Sequence, residues 1–137
     1  MNPVELIGPS IAVIVGLLVL CWGIACRNGQ FPRNPILGYR TVAAMRSTPA
    51  WNAAHRGYAP WIILSGLVLA TAGGVALIGT LAGADGVLMP ALVLGIVSLL
   101  VAMVVGGVFA HRSLAEYLRE NGKRNDSSGD AKVMGGG

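Results

Sequence analysis

Three apolar runs, residues 6–25, 61–80 and 87–110, decide what this chain can fold into. Each reaches the roughly 20 residues that a helix needs to cross the hydrocarbon core of a bilayer. In lipid every backbone N–H and C=O must be satisfied within its own segment, so such runs are helices. Strand-type alternation is absent, which argues against a membrane β-barrel. No run carries a polar face, which argues against three helices of a water-soluble bundle. Charged residues make up 12% of the chain, against about 25% in a soluble domain. The expected fold is an all-α integral membrane protein with three transmembrane helices, over residues 4–25, 59–80 and 87–110. A cytoplasmic loop of short interfacial helices, residues 27–57, joins the first to the second. Residues 1–122 form the membrane domain, and the polar, Gly/Ser-containing segment 123–137 is expected to be a disordered cytoplasmic tail.

Orientation follows from where the cations fall. Arg27, Arg33, Arg40, Arg46 and Arg56 follow the first run, and Arg112, Arg119, Lys123, Arg124 and Lys132 follow the third. The N-terminal segment and the turn at 81–86 carry only Glu5 and Asp85. The positive-inside rule places the N-terminus outside and the loop and C-terminus in the cytoplasm. The first run has no Lys or Arg before it, unlike a secretory signal, and is read as a retained helix. Nucleic-acid binding is not expected, because no aromatic platform accompanies the positive charge.

The loop between the first two runs is the long polar segment of the chain. Asn28-Gly29 signals a turn, and Pro32 and Pro35 keep the chain extended. Thr41 is placed to cap a short helix through Arg46, and Ser47 or Thr48 with Pro49 opens a second one. That second helix carries Trp51 and His55 one turn apart on one face. Trp51, Tyr58 and Trp61 are expected at the headgroup level, with the short helices lying on the membrane. With no acidic residue nearby, the loop arginines require lipid phosphates, helix-end carbonyls, a protein partner, or Glu116 and Glu120 of the tail.

Within the spans, Gly8, Gly16 and Gly23, then Gly66, Ala70 and Gly73 or Gly74, then Ala91, Gly95, Ser98, Ala102 and Gly106, form stripes suited to close helix packing. None of the apolar runs 6–25, 61–80 and 87–110 contains an ionisable acid, base or histidine, which argues against a proton-coupled carrier. Cys21 and Cys26 are read as small packing residues, and no metal site or cofactor is expected. Ser47, Thr41 and His55 invite comparison with a hydrolase. The loop offers no acid to orient the histidine and no nucleophile elbow, so the chain is not expected to be an enzyme.

The residues Asn34-Pro35, Gly38-Tyr39-Arg40-Thr41, Ser47, Trp51 and His55-Arg56, set directly before a membrane helix, resemble the signature of the SdpI family. The pattern covers about a sixth of the chain and corresponds to the C-terminal three-helix part of that family's named immunity protein, which has further membrane helices before it. The resemblance implies a multi-pass protein of the bacterial plasma membrane. The named member protects a cell from its own secreted killing peptide and recruits a transcriptional repressor once the toxin is engaged. It marks Asn34, Gly38, Arg40, Thr41, Ser47, Trp51, His55 and Arg56 as the shared site.

Two functions are then expected to compete. One is an SdpI-like binding or immunity module whose loop recognises a peptide, lipid or protein partner. The other is an accessory subunit of a larger membrane complex, or a homo-oligomer, packed through the small-residue faces. Partners in either case include membrane lipids and a toxin peptide, regulator or membrane complex.

Overall fold

A computed structural model describes residues 3–84 and 86–134, with side chains through residue 124. Asp85, the terminal glycines 135–137 and the side chain of Lys132 lie outside what is described. After a short 3-10 turn at Pro3–Leu6 come α1 (Ile7–Arg27), α2 (Val42–Met45), α3 (Thr48–Leu81) and α4 (Leu88–Met134). The structure is all-helical, and three of these helices are long and apolar enough to cross a membrane. Their outer surfaces expose large apolar side chains, among them Leu18, Leu67, Ile78, Leu94 and Val104. A surface of that kind is stable against lipid and not against water.

The middle position belongs to α3. It packs along α1 on one side and along α4 on the other, while α1 and α4 hardly meet. Small residues permit both contacts. Gly16 and Gly23 lie against the α3 backbone near Ala70 and Ile63, and Gly66 and Gly73 lie against α1 near Leu20 and Val13. Across the other interface, Gly95 faces Leu69, Gly106 faces Tyr58, and Gly57 faces Ser113. The stripes that the sequence offers for assembly with other chains are thus largely used inside the bundle. Hydroxyls in the spans satisfy themselves on their own helices: Ser65 donates to the Ile62 carbonyl, Thr71 to Leu67 and Ser98 to Gly95.

Two boundaries differ from expectation. The second short helix does not lie apart on the membrane; it is the start of α3, which runs unbroken from Thr48 through Pro60 to Leu81. Pro60 removes one backbone donor, but Tyr58, Ala59 and Ile62 around it are buried against neighbours, and that packing carries the helix through. With 34 residues, α3 is about 51 Å long, well beyond a hydrocarbon core of about 30 Å. Its first turns therefore stand clear of the apolar run, as a post for the loop. At the other end, α4 is helical to Met134, past the point at Lys123 where a disordered tail is expected. No proline interrupts that stretch, and an isolated glycine costs a helix only about 1 kcal/mol.

Candidate functional site

The loop is held by local bonds that its sequence dictates. Gly29 turns the chain out of α1 at φ +70°. The Asn34 side-chain oxygen accepts from the N–H groups of Ile36 and Leu37 at 3.1 and 2.6 Å, closing an Asx turn. Thr41 caps α2 by accepting from Ala44 N at 3.2 Å, and Ser47 caps α3 by accepting from Ala50 N at 3.2 Å. Arg33 donates to the Met45 carbonyl at 3.1 Å, satisfying an orphan acceptor at the end of α2.

Beneath the loop lies a stack of rings. Trp51 and His55 are fully buried, with ring centroids 4.0 Å apart. Phe31 lies 5.9 Å from Trp51, 5.4 Å from His55 and 5.9 Å from Trp22 of α1. The Trp51 indole donates to the Phe31 carbonyl at 2.9 Å, which ties the loop to α3. Trp51 therefore faces protein and not lipid, and so does Tyr58, which is buried beside Trp22 at 6.4 Å. The loop folds back over these rings, and its Phe31 carbonyl takes the indole N–H of Trp51.

His55 has its tautomer fixed by two backbone groups. The Tyr39 N–H donates to Nε2 at 3.2 Å, so Nε2 carries the lone pair; Nδ1, 2.9 Å from the Trp51 carbonyl, carries the proton. Protonation would leave two N–H groups facing each other. Burial acts in the same direction and lowers the pKa of this group, which precedes the apolar run of α3, against a smaller opposing effect of the Trp51 bond. Gly38 completes the arrangement: its φ is +102°, and a Cβ there would collide with His55 Nε2.

Above the rings, the segment 36–40 forms one wall of a cleft of ≈ 460 Å³. Trp22 of α1, Tyr58 of α3, and Met103 and Gly107 of α4 supply the other walls. The cleft exists because α1 and α4 each pack on α3 and leave a gap between them. Arg40 stands at its edge, exposed, and its guanidinium has no partner among the described residues. The Trp22 indole N–H is buried without a partner among the described residues. Tyr39 is held at both ends, by its N–H on His55 and by its hydroxyl 3.2 Å from Nδ1 of His111 on α4.

The eight residues singled out in the sequence thus divide. Asn34, Thr41, Ser47, Trp51 and His55 hold the loop, Gly38 both holds it and lines the cleft, and Arg40 lines the cleft with a free charge. Arg56 lies elsewhere, in a groove of ≈ 370 Å³ between α3 and α4 with Ser113, Glu116 and Glu120. No ion pair among the described residues joins it to those carboxylates, so the expected loop–tail network is a shared groove only. Sequence reasoning missed Trp22, Met103, Gly107 and His111. The one available signal was the clustering of Trp22, Phe31, Tyr39 and Tyr58 near the two ends of the loop.

The chain belongs to the SdpI/YfhL protein family, whose model matches residues 30–111, more than half of its length. The match runs from the loop through α3 to His111. No curated protein and no solved structure gives a significant match.

Proposed function

We propose that the chain is a binding module of the immunity-protein type in a bacterial plasma membrane, with the N-terminus outside and the loop and C-terminus cytoplasmic. The distribution of Lys and Arg supports that orientation. One observation supports recognition: Asn34, Thr41, Ser47, Trp51 and His55 are spent on fixing the loop's shape, and Arg40, unpaired among the described residues as Arg46 is, stands at the edge of a cleft. An arginine with its five donors free is suited to carboxylate or phosphate. Hydrolysis draws no support, since Thr41 and Ser47 accept capping bonds and both nitrogens of His55 are engaged by backbone.

Capture of partners from native membranes in mild detergent tests this reading, with wild type beside Arg40→Ala and Arg46→Ala. Arg46 is exposed and outside the cleft. The expected result is a specific protein partner lost with Arg40→Ala and kept with Arg46→Ala. Equal recovery with both would move the interaction to the helices and favour the accessory-subunit reading. That reading retains one supporting feature, the apolar groove of ≈ 730 Å³ between α3 and α4 lined by Leu67, Val75, Pro90 and Leu94.

A further inference from the structure

The cleft at Arg40 has a composition that narrows its ligand. Its lower walls, Trp22, Met103 and Gly107, belong to the apolar runs of α1 and α4, whereas Arg40 lies in the polar loop. Ile36, Leu37 and Met103 present exposed apolar surface beside it. The site therefore spans the boundary between hydrocarbon and headgroups. A soluble anion would leave those apolar walls uncovered, and a lipid without a phosphate would leave the guanidinium unpaired.

Charge points the same way. The sequence holds no Asp or Glu between Glu5 and Asp85, while Arg27, Arg33, Arg40 and Arg46 crowd the loop end. One further polar atom of the cleft lining is unpaired: Tyr58 is 9% exposed, and its hydroxyl has no hydrogen bond among the described residues. Neither Gly38 nor Arg40 has its backbone N–H taken within the chain among the described residues.

From these features, and resting on the reading of the loop as a recognition surface, we infer that the cleft holds one acidic phospholipid. Its phosphate sits at Arg40, and one acyl chain lies between Leu37, Met103 and Gly107. This is a site for a single lipid, distinct from general attraction of a basic surface to an anionic leaflet.

Native mass spectrometry of the purified full-length protein in detergent, with defined lipids added, is the test. Wild type should retain one phosphatidylglycerol and little phosphatidylcholine. Arg40→Gln should lower retention at least tenfold, and Arg46→Gln should leave it within twofold. Gly107→Leu should also lower it tenfold, because a Cβ at 107 meets nothing within 4 Å and the rest of the side chain grows from there into the cleft that Gly107 lines. Thermal melting of each variant confirms that the fold is intact. The inference is overturned if Arg46→Gln loses as much lipid as Arg40→Gln, if phosphatidylcholine is retained equally, or if Gly107→Leu has no effect. Displacement by glycerol phosphate alone, at concentrations matching the lipid, would also overturn it by showing a headgroup-only anion site. Partner capture from membranes is a separate readout, so loss of the lipid site would leave the protein-recognition reading standing.

Discussion

Replacing Gly38 by alanine perturbs two things whose sizes can be separated. The residue sits at φ +102°, where an L side chain strains the backbone, at a cost of about 1–3 kcal/mol. The new Cβ also drives His55 away and deprives the part-buried Tyr39 N–H of its acceptor, adding about 1 kcal/mol at the low end of the range for such a loss. The expected total is about 3 kcal/mol. His55→Ala alone empties a fully buried ring site and should cost about 3 kcal/mol, as other large-to-small core changes do. In the double variant the collision has vanished and the Tyr39 bond is lost only once. Its cost should fall short of the sum by at least about 1 kcal/mol. Gly83→Ala is the control, since φ is +72° there but nothing lies within 4 Å of the added Cβ. Reversible unfolding in mixed dodecylmaltoside–SDS micelles, followed by tryptophan fluorescence, gives all four values. Additivity within about 0.5 kcal/mol would refute the claim that Gly38 exists to seat His55.

Trp51→Phe should cost about 1 kcal/mol in the same titration, because the stacking persists while the bond to the Phe31 carbonyl is lost. Trp51→Ala should cost about 3–5 kcal/mol. Stability should be full above about pH 6.5, the ordinary histidine value. It should decline below that value, because burial lowers the folded-state pKa of His55 and the unfolded chain takes the proton first. His55→Gln should flatten that decline, and the difference between the two profiles isolates the contribution of His55. Gly16→Val places a side chain against the Ala70 backbone and should separate α1 from α3; disulfide trapping between cysteines introduced at the α1–α3 contact would lose its yield. Tyr39→Phe removes only the exposed bond to His111, with a stability change under about 1 kcal/mol, yet it should weaken phospholipid retention; retention equal to wild type would show that α4 plays no part in setting Arg40.

What the sequence reveals depends on how local the physics is. The three spans are legible because hydropathy over one turn after another decides them. The caps at Thr41 and Ser47 are legible because each needs only a residue three positions on. Trp51 and Tyr58 are expected from the sequence to face the headgroups, and both are buried in the protein instead, because an aromatic ring with one polar atom reads the same in either setting. Nothing near Trp51 in the chain announces that Phe31, twenty positions earlier, supplies that carbonyl. The fusion of the second short helix with α3 was hidden for a similar reason. Pro60 argues locally for a break, and only the packing around Ala59 and Ile62 outweighs it.

The same geometry separates variants that report on folding from those that report on binding. Gly38, Trp51 and His55 lie within one buried unit, so changing any of them moves the loop and everything it carries. Arg40 is two residues from Gly38 but exposed and unbonded, and Gly107 sits across the gap on α4 with open space beside it. Those two positions can be altered without touching the ring stack. Between them stands Tyr39, whose backbone answers to α3 through His55 and whose hydroxyl answers to α4 through His111. A shift of α4 relative to α3 would pull on one end of Tyr39 while the other stays fixed, and the adjoining Arg40 would turn with it. The width of the cleft and the position of its charge are therefore coupled by one side chain. A ligand that holds both walls of the cleft stabilises one spacing of α3 and α4, by as much as it prefers that spacing over others.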